Sequence, residues 1–163
     1  ETALNENAKL VVLDTPGHTL AHLCFVVKEN GIETAVFTGD TLFNAGVGNC
    51  HNGGDAETLF ETITEQFVVL EDDVVVYPGH DYLETNLKFT LSLEPDNQSA
   101  LDWLKRVTKE KYVAGKYTTT IGDERQINTF FRLNNEQIIS RLELSHVTEK
   151  QVFLSLRALR NTW

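Results

Sequence analysis

Three short apolar runs in this chain each lead into a tight turn in which a glycine is followed at once by a side chain able to bind a metal. Residues 9–13 lead into Thr15-Pro16-Gly17-His18, residues 34–37 into Thr38-Gly39-Asp40, and residues 73–77 into Pro78-Gly79-His80. Taken singly, each tripeptide is an ordinary turn or a satisfied core residue, but its threefold repetition is what a built site requires. A β-branched run of this length predicts a buried strand, and glycine just past it lets the chain turn sharply. If the runs share one sheet, His18, Asp40 and His80 stand at strand ends, the rim where ligands gather in layered α/β folds. Two imidazoles and a carboxylate suit zinc or iron better than calcium or magnesium. No Ser-His-Asp arrangement competes with this reading, and His51 and His146 read as loop or surface residues.

The elements that must position these residues follow from hydrophobic periodicity. Strands are predicted over 9–13, 22–27, 34–38 and 74–77, with Asn30-Gly31 as a hairpin turn between the second and third. Residues 55–67 carry Leu59, Phe60, Ile63 and Phe67 at helical spacing behind Asp55, a suitable N-cap. A second helix spans 82–93 and ends at Glu94-Pro95. Beyond residue 97 the strand signal fades: helices are expected over 99–112, 123–131, 135–144 and 148–160, with 118–122 as a connector. The composition shift near Pro95 divides the chain into an α/β part, residues 1–96, and a helical part, residues 97–163.

At 163 residues with 41% apolar and 23% charged side chains, the chain is long enough for a real core and reads as an ordinary globular protein. The net charge of −10 argues against broad nucleic-acid binding, which needs a basic footprint. No apolar run is long enough to span a membrane, so no membrane partner is expected. Cys24 and Cys50 form no disulfide framework, and the expected setting is the reducing cytoplasm. The absence of Met, even at position 1, reads as a processed product or a piece of a longer protein.

Thr15-Pro16-Gly17-His18-Thr19, Phe37-Thr38-Gly39-Asp40-Thr41-Leu42-Phe43 and Tyr77-Pro78-Gly79-His80-Asp81-Tyr82 resemble the later motifs of the metallo-β-lactamase superfamily. Within it the chain is most similar to glyoxalase II, the hydroxyacylglutathione hydrolases, a likeness that Asn86-Leu87-Lys88-Phe89, Glu94-Pro95 and Thr120-Ile121-Gly122-Asp123-Glu124 extend. The resemblance implies the second half of an αββα sandwich followed by a small all-α domain that binds substrate. It implies two zinc ions, or iron or manganese, with His18 on the first metal, Asp40 as the catalytic carboxylate shared by both, and His80 on the second. His22 matches a position often filled by His and reads as a packing or hydrogen-bonding residue. The implied reaction is hydrolysis of an S-lactoylglutathione-type thioester by a metal-bound hydroxide. A thiolate of pKa roughly 8–9 leaves without a strong general acid.

For substrate contacts the resemblance points to Tyr82, Asn49, His51 and Arg160. Asn49 and His51 stand where the family carries Lys and Tyr, and Trp163 stands where it carries a second Lys. The family's opening motif, His-x-His-x-Asp-His, does not occur in these 163 residues. The chain alone is therefore expected to be inactive, with partial or no metal occupancy, and one apolar sheet face is expected to be covered by a missing N-terminal half or a second copy. Two alternatives remain open: a persulfide dioxygenase-like enzyme with one iron, and a non-catalytic module acting in assembly or binding.

Overall fold

The fold is that of a computed structural model, which describes residues 1–109 and 117–163. In chain order come β1 (Thr2–Ala3), β2 (Ala8–Asp14), β3 (Leu23–Glu29), β4 (Ile32–Gly39), a small ribbon of β5 (Leu42–Phe43) and β6 (Gly46–Val47), and α1 (Ala56–Thr62). Then follow β7 (Val75–Pro78), α2 (Leu83–Leu93), α3 (Gln98–Lys109), β8 (Thr119–Thr120), α4 (Ile121–Ile127), α5 (Glu136–Arg141) and α6 (Glu149–Thr162). The larger sheet has the order β1-β2-β3-β4-β7-β8.

Strand direction explains where the chemistry converges. β2, β3 and β4 pair antiparallel, whereas β4 and β7 pair parallel, with Gly39 opposite Pro78. The ends of β2, β4 and β7 and the start of β3 therefore share one rim. The β3–β4 hairpin turns through Asn30 and Gly31, at φ 51° and 84°, the left-handed pair that a tight hairpin with native twist requires.

The sheet's two faces differ. Cys24, Val26, Val36, Val74 and Val76 pack against Leu59, Phe67, Phe89, Phe130, Ile138, Phe153 and Leu156 in one buried cluster. The helices beyond residue 97 thus share a core with the strands before it. On the opposite face the register runs Val12, Phe25, Phe37, Tyr77, and Val12, Phe37 and Tyr77 are exposed. Phe37 and Tyr77 stack with ring centroids 5.3 Å apart. This is the open apolar face that the sequence led us to expect.

Several expected boundaries move for local reasons. The helix expected over 55–67 opens as foreseen on Asp55, which accepts from the Thr58 N–H, but it widens into a π-helical turn at Ile63–Phe67. The connector expected at 118–122 is instead the last strand of the sheet followed by the first turn of α4. Thr120 caps that helix, its hydroxyl accepting from Asp123 N–H while Asp123 accepts from Thr120 N–H. α4 stops at Asn128, and a separate 3-10 turn, Thr129–Phe131, completes the segment expected to be helical to 131. α3 runs to Lys109, and the rest of the helix expected to 112 lies outside the described residues. Among the described residues no helix is long and apolar enough to cross a membrane, and Cys24 and Cys50 are both free.

Candidate metal centre and adjoining cavity

The shared rim brings His18, Asp40 and His80 together. Asp40 lies between the two imidazoles and offers one oxygen to each: Oδ1 is 2.6 Å from His80 Nδ1 and Oδ2 is 3.7 Å from His18 Nε2. His18 is buried, and its Nδ1 sits 2.6 Å from the Asn49 carbonyl. A carbonyl accepts only, so Nδ1 carries a proton and Nε2 is the ring nitrogen left facing Asp40.

Close backbone approach makes this packing possible. Gly39 has a φ of 49°, and a Cβ there would come within 2.9 Å of the His22 ring. At Gly79 an added Cβ would lie 2.7 Å from Asp40 Oδ1, so only glycine leaves room for the carboxylate.

His22 holds the same loop from below. Its Nε2 accepts from the Asp40 backbone N–H at 3.4 Å, and its Nδ1 lies 3.0 Å from Thr41 Oγ1 and 3.1 Å from Thr15 Oγ1. Burial lowers its pKa, the neighbouring His18 lowers it further, and Asp40 partly opposes both. A neutral ring suits the acceptor role. The packing or hydrogen-bonding residue read from the sequence is thus a support for the Asp40 turn.

The residues present fit one part of a metal centre. A carboxylate with each oxygen facing a different imidazole, one of them locked in a single tautomer by a carbonyl, is the donor set expected between two metals. It is not a closed shell: among the described residues no group of three or more His, Cys, Asp or Glu side chains is arranged to hold a metal by itself.

Beside the rim, Asn49, His51, Tyr82 and Arg160 line a cavity of about 180 Å³, together with Phe43, Asn86 and Arg157. The four side chains expected to meet substrate are therefore brought to one place. Tyr82 lies flat against His80, with centroids 5.4 Å apart and planes 8° apart, and Phe43 meets Tyr82 edge-on at 5.0 Å. An aromatic wall thus joins the cavity to the candidate ligands. Arg160 reaches Asn86 Oδ1 at 3.4 Å and lies over the Phe89 and Trp163 rings. Trp163 supports Arg160 with its ring rather than adding a charge.

Sequence reasoning passed over Arg157. It is buried, its Nη1 donates to the Val47 and Gly48 carbonyls at 3.0 Å each, and its Nε has no hydrogen-bond partner among the described residues. Burial, with the Arg160 charge adding to it, lowers its pKa to about 10. The cavity lining holds two guanidiniums and no carboxylate, although the chain carries a net charge of −10. Asn86 was visible only as part of a motif; its Nδ2 donates to the Asn44 carbonyl at 2.9 Å, tying α2 to the loop that carries Asp40.

Residues 81–163 match the family described as "Hydroxyacylglutathione hydrolase C-terminus", and residues 1–80 match the metallo-beta-lactamase superfamily. The chain is 49% identical over 160 residues to a hydroxyacylglutathione hydrolase of Nitrosococcus oceani, covering 94% of this chain and 60% of that protein. It is 46% identical to one from a Polaromonas species, covering 98% of this chain and 62% of that protein. The chain thus spans about 60% of the length of these curated relatives. Among solved structures, a metallo-beta-lactamase from Staphylococcus aureus aligns with 98% of this chain and 42% of its own, at TM-score 0.54 and 23% identity. ETHE1 from Myxococcus xanthus aligns with 99% of this chain and 56% of its own, at TM-score 0.54 and 24% identity. These two likenesses are of fold.

Proposed function

Because the chain belongs to the hydroxyacylglutathione hydrolase family of the metallo-β-lactamase superfamily, we propose that it carries the late-ligand half and the substrate cavity of a metal-dependent hydrolase of glutathione-type thioesters. The observation that carries this reading is Asp40 between two histidines, one carboxylate oxygen toward each, beside a carboxylate-free cavity with two arginines.

His18, Asp40 and His80 would hold two zinc ions, or iron or manganese. When bound, such ions supply an activated water and a Lewis acid for the thioester carbonyl. The chain's own residues do the rest. The Asn49 carbonyl keeps His18 in its ligating tautomer, and His22 holds the Asp40 turn through its backbone N–H. Tyr82 and Phe43 wall the path from the cavity to the rim, and Arg160 pairs with a carboxylate of the thiol carrier. With Asn49 and Trp163 where the family carries lysines, that carrier is held by two fewer charges, each charge-assisted contact being worth roughly 1.5–3 kcal/mol.

The remaining ligands would come from a segment seated on the open face formed by Val12, Phe37 and Tyr77. Replacing both Phe37 and Tyr77 by Asp then lowers the melting temperature of the metal-loaded gene product, and an unchanged value sinks this seating. For the activity, the assay is hydrolysis of S-lactoylglutathione by the zinc-loaded gene product that carries this chain, beside its Asp40→Asn variant. We expect metal-dependent turnover lost at least a hundredfold in the variant. Turnover that survives chelation or the substitution would refute the reading.

A further inference from the structure

Behind the candidate metal centre, the loop from Asp40 to Asn49 contains the one buried residue with a strained backbone among the described non-glycine residues. Ala45 has a φ of 59° and is 1% exposed; the other such residues, Asn30, Glu143 and His146, lie in exposed turns. A left-handed alanine persists where its surroundings hold it in place. Here the holder is Glu124 on α4, in the helical part of the chain. Both of its carboxylate oxygens accept from the Ala45 N–H, each at 3.0 Å. Thr119 Oγ1 donates to Oε1 at 2.5 Å and Asn128 Nδ2 donates to Oε2 at 2.7 Å.

The surroundings call for a carboxyl group that can accept at both oxygens. Glu124 is fully buried, and no ion pair to it is found among the described residues. A buried charge without a counter-ion is costly, so an apolar residue would serve a mere core position better. The Thr119 hydroxyl also accepts from Asn44 Nδ2 at 2.7 Å, which leaves its own proton for Glu124. As a carboxylate Glu124 accepts from β8, from α4 and from the loop, and when protonated its own O–H has the second lone pair of Thr119 Oγ1 to donate to. A Gln would present its own N–H group to one of them and leave a donor unmet. The same donors extend along the loop, since Asn128 Nδ2 also reaches the Gly46 carbonyl at 3.3 Å and Asn86 Nδ2 reaches the Asn44 carbonyl at 2.9 Å.

We propose that Glu124 is a positioning residue for the metal-centre loop: through the Ala45 N–H it fixes the segment that carries Asp40 at one end and the Asn49 carbonyl, which sets the His18 tautomer, at the other. The helical part of the chain therefore does more than line a cavity; it sets the geometry of ligands that lie on the sheet. The catalytic consequence rests on the hydrolase reading above, but the geometric claim does not.

The test is amide hydrogen exchange on this chain, comparing Glu124→Gln with Glu94→Gln. Glu94 is an equally buried carboxylate, but it pairs with Arg132 and Asn135 and touches no part of the loop. We expect the Ala45 N–H and its neighbours in the Asp40–Asn49 loop to exchange about ten to a hundred times faster in Glu124→Gln, the scale of a lost hydrogen bond to a charged group. Amides of β3 and β4 keep their protection, and Glu94→Gln leaves the loop unchanged whatever it does to overall stability. If Glu124→Gln fails to fold, Thr119→Val removes one donor and should speed the same amides severalfold. Loop protection equal to the parent in Glu124→Gln, or in Thr119→Val where that variant is needed, overturns the proposal, as does equal acceleration in Glu94→Gln. In the active gene product, Glu124→Gln lowers kcat with KM for the thioester little changed. Absence of thioesterase activity in the parent would refute the hydrolase reading and leave the exchange result to decide this one.

Discussion

Replacing Gly79 by Ala tests the packing of the rim at its tightest point. The new Cβ would stand 2.7 Å from Asp40 Oδ1 and 3.2 Å from the Gly39 carbonyl carbon, whereas ordinary contact begins near 3.4 Å. The backbone cannot retreat freely, because Gly79 N–H donates to the Gly39 carbonyl at 2.8 Å. The carboxylate must therefore move by about 0.7 Å, which can stretch its 2.6 Å contact with His80 to about 3.3 Å. Overpacking of this kind costs about 1–3 kcal/mol. The His80 contact adds about 0.5–1 kcal/mol rather than the full value of a charged hydrogen bond, because the imidazole is half exposed. The total, about 1.5–4 kcal/mol, corresponds to a melting temperature lower by roughly 3–16 °C in a chain of this size. A Gly31→Ala variant is the comparator. Gly31 has a φ of 84° and nothing within 4 Å of its added Cβ, so it reports backbone strain alone, about 1–2 kcal/mol. The decisive measurement is zinc affinity of the gene product by competition with a chelating dye. Gly79→Ala should weaken it at least tenfold and Gly31→Ala should not. Equal affinities in the two variants would refute the claim that Asp40 is positioned by the space above Gly79.

Arg160→Gln should raise KM for an anionic thioester about ten- to hundredfold with kcat within twofold, in steady-state kinetics, because it removes one charge-assisted contact; an unchanged KM would separate Arg160 from substrate. Glu94→Gln leaves Arg132 without its carboxylate and should cost about 2–4 kcal/mol by urea unfolding, less than a fully buried pair because Arg132 is a quarter exposed; a loss under 1 kcal/mol would contradict the pairing. Burial pushes Glu124 up to about 7, with Asp123 on the same helix adding to it and the donors from Thr119, Ala45 and Asn128 opposing it. The folded state then holds a proton that the unfolded state has released between about pH 4.5 and 7, so this residue's contribution to stability declines as pH rises through that window. Urea midpoints from pH 5 to 8 should show a decline that Glu124→Gln removes, and identical profiles for the two proteins would refute it.

What could be read in advance depended on whether a feature was local. The apolar runs at 9–13, 34–38 and 74–77 declare their strands by composition, and glycine before His18, Asp40 and His80 declares the turns. Asn30-Gly31 supplies both left-handed residues of its hairpin, and Thr148 and Gln151 together cap α6. β8 could not be seen, because two residues display no period and Thr119-Thr120 looks like any polar connector. Its pairing with Val75 and Val76 is decided by the sheet edge they leave open. Glu124 was hidden for a related reason. In sequence it is one acid among several in a short helix, and only the fold sets it 79 positions away against Ala45. The division near residue 96 was read from composition, which records secondary structure but not packing, and Phe130 and Phe153 pack in the same cluster as Val36 and Val76.

The charge of the site follows the same contrast between local and global. A net charge of −10 would repel an anionic substrate if it acted as a uniform field. At physiological ionic strength such a field decays over about 8 Å, so the groups that line a cavity outweigh those spread over the surface. In the cavity beside His80 those groups are Arg157 and Arg160, with amides and aromatic rings around them and no acid. Arg157 is committed to the Val47 and Gly48 carbonyls, which end the loop bearing Asp40, while Arg160 remains half buried on the α6 face. One arginine shapes the wall, and the other is the one that the proposed function turns toward the ligand. The cavity can therefore attract a carboxylate in a chain that as a whole would not.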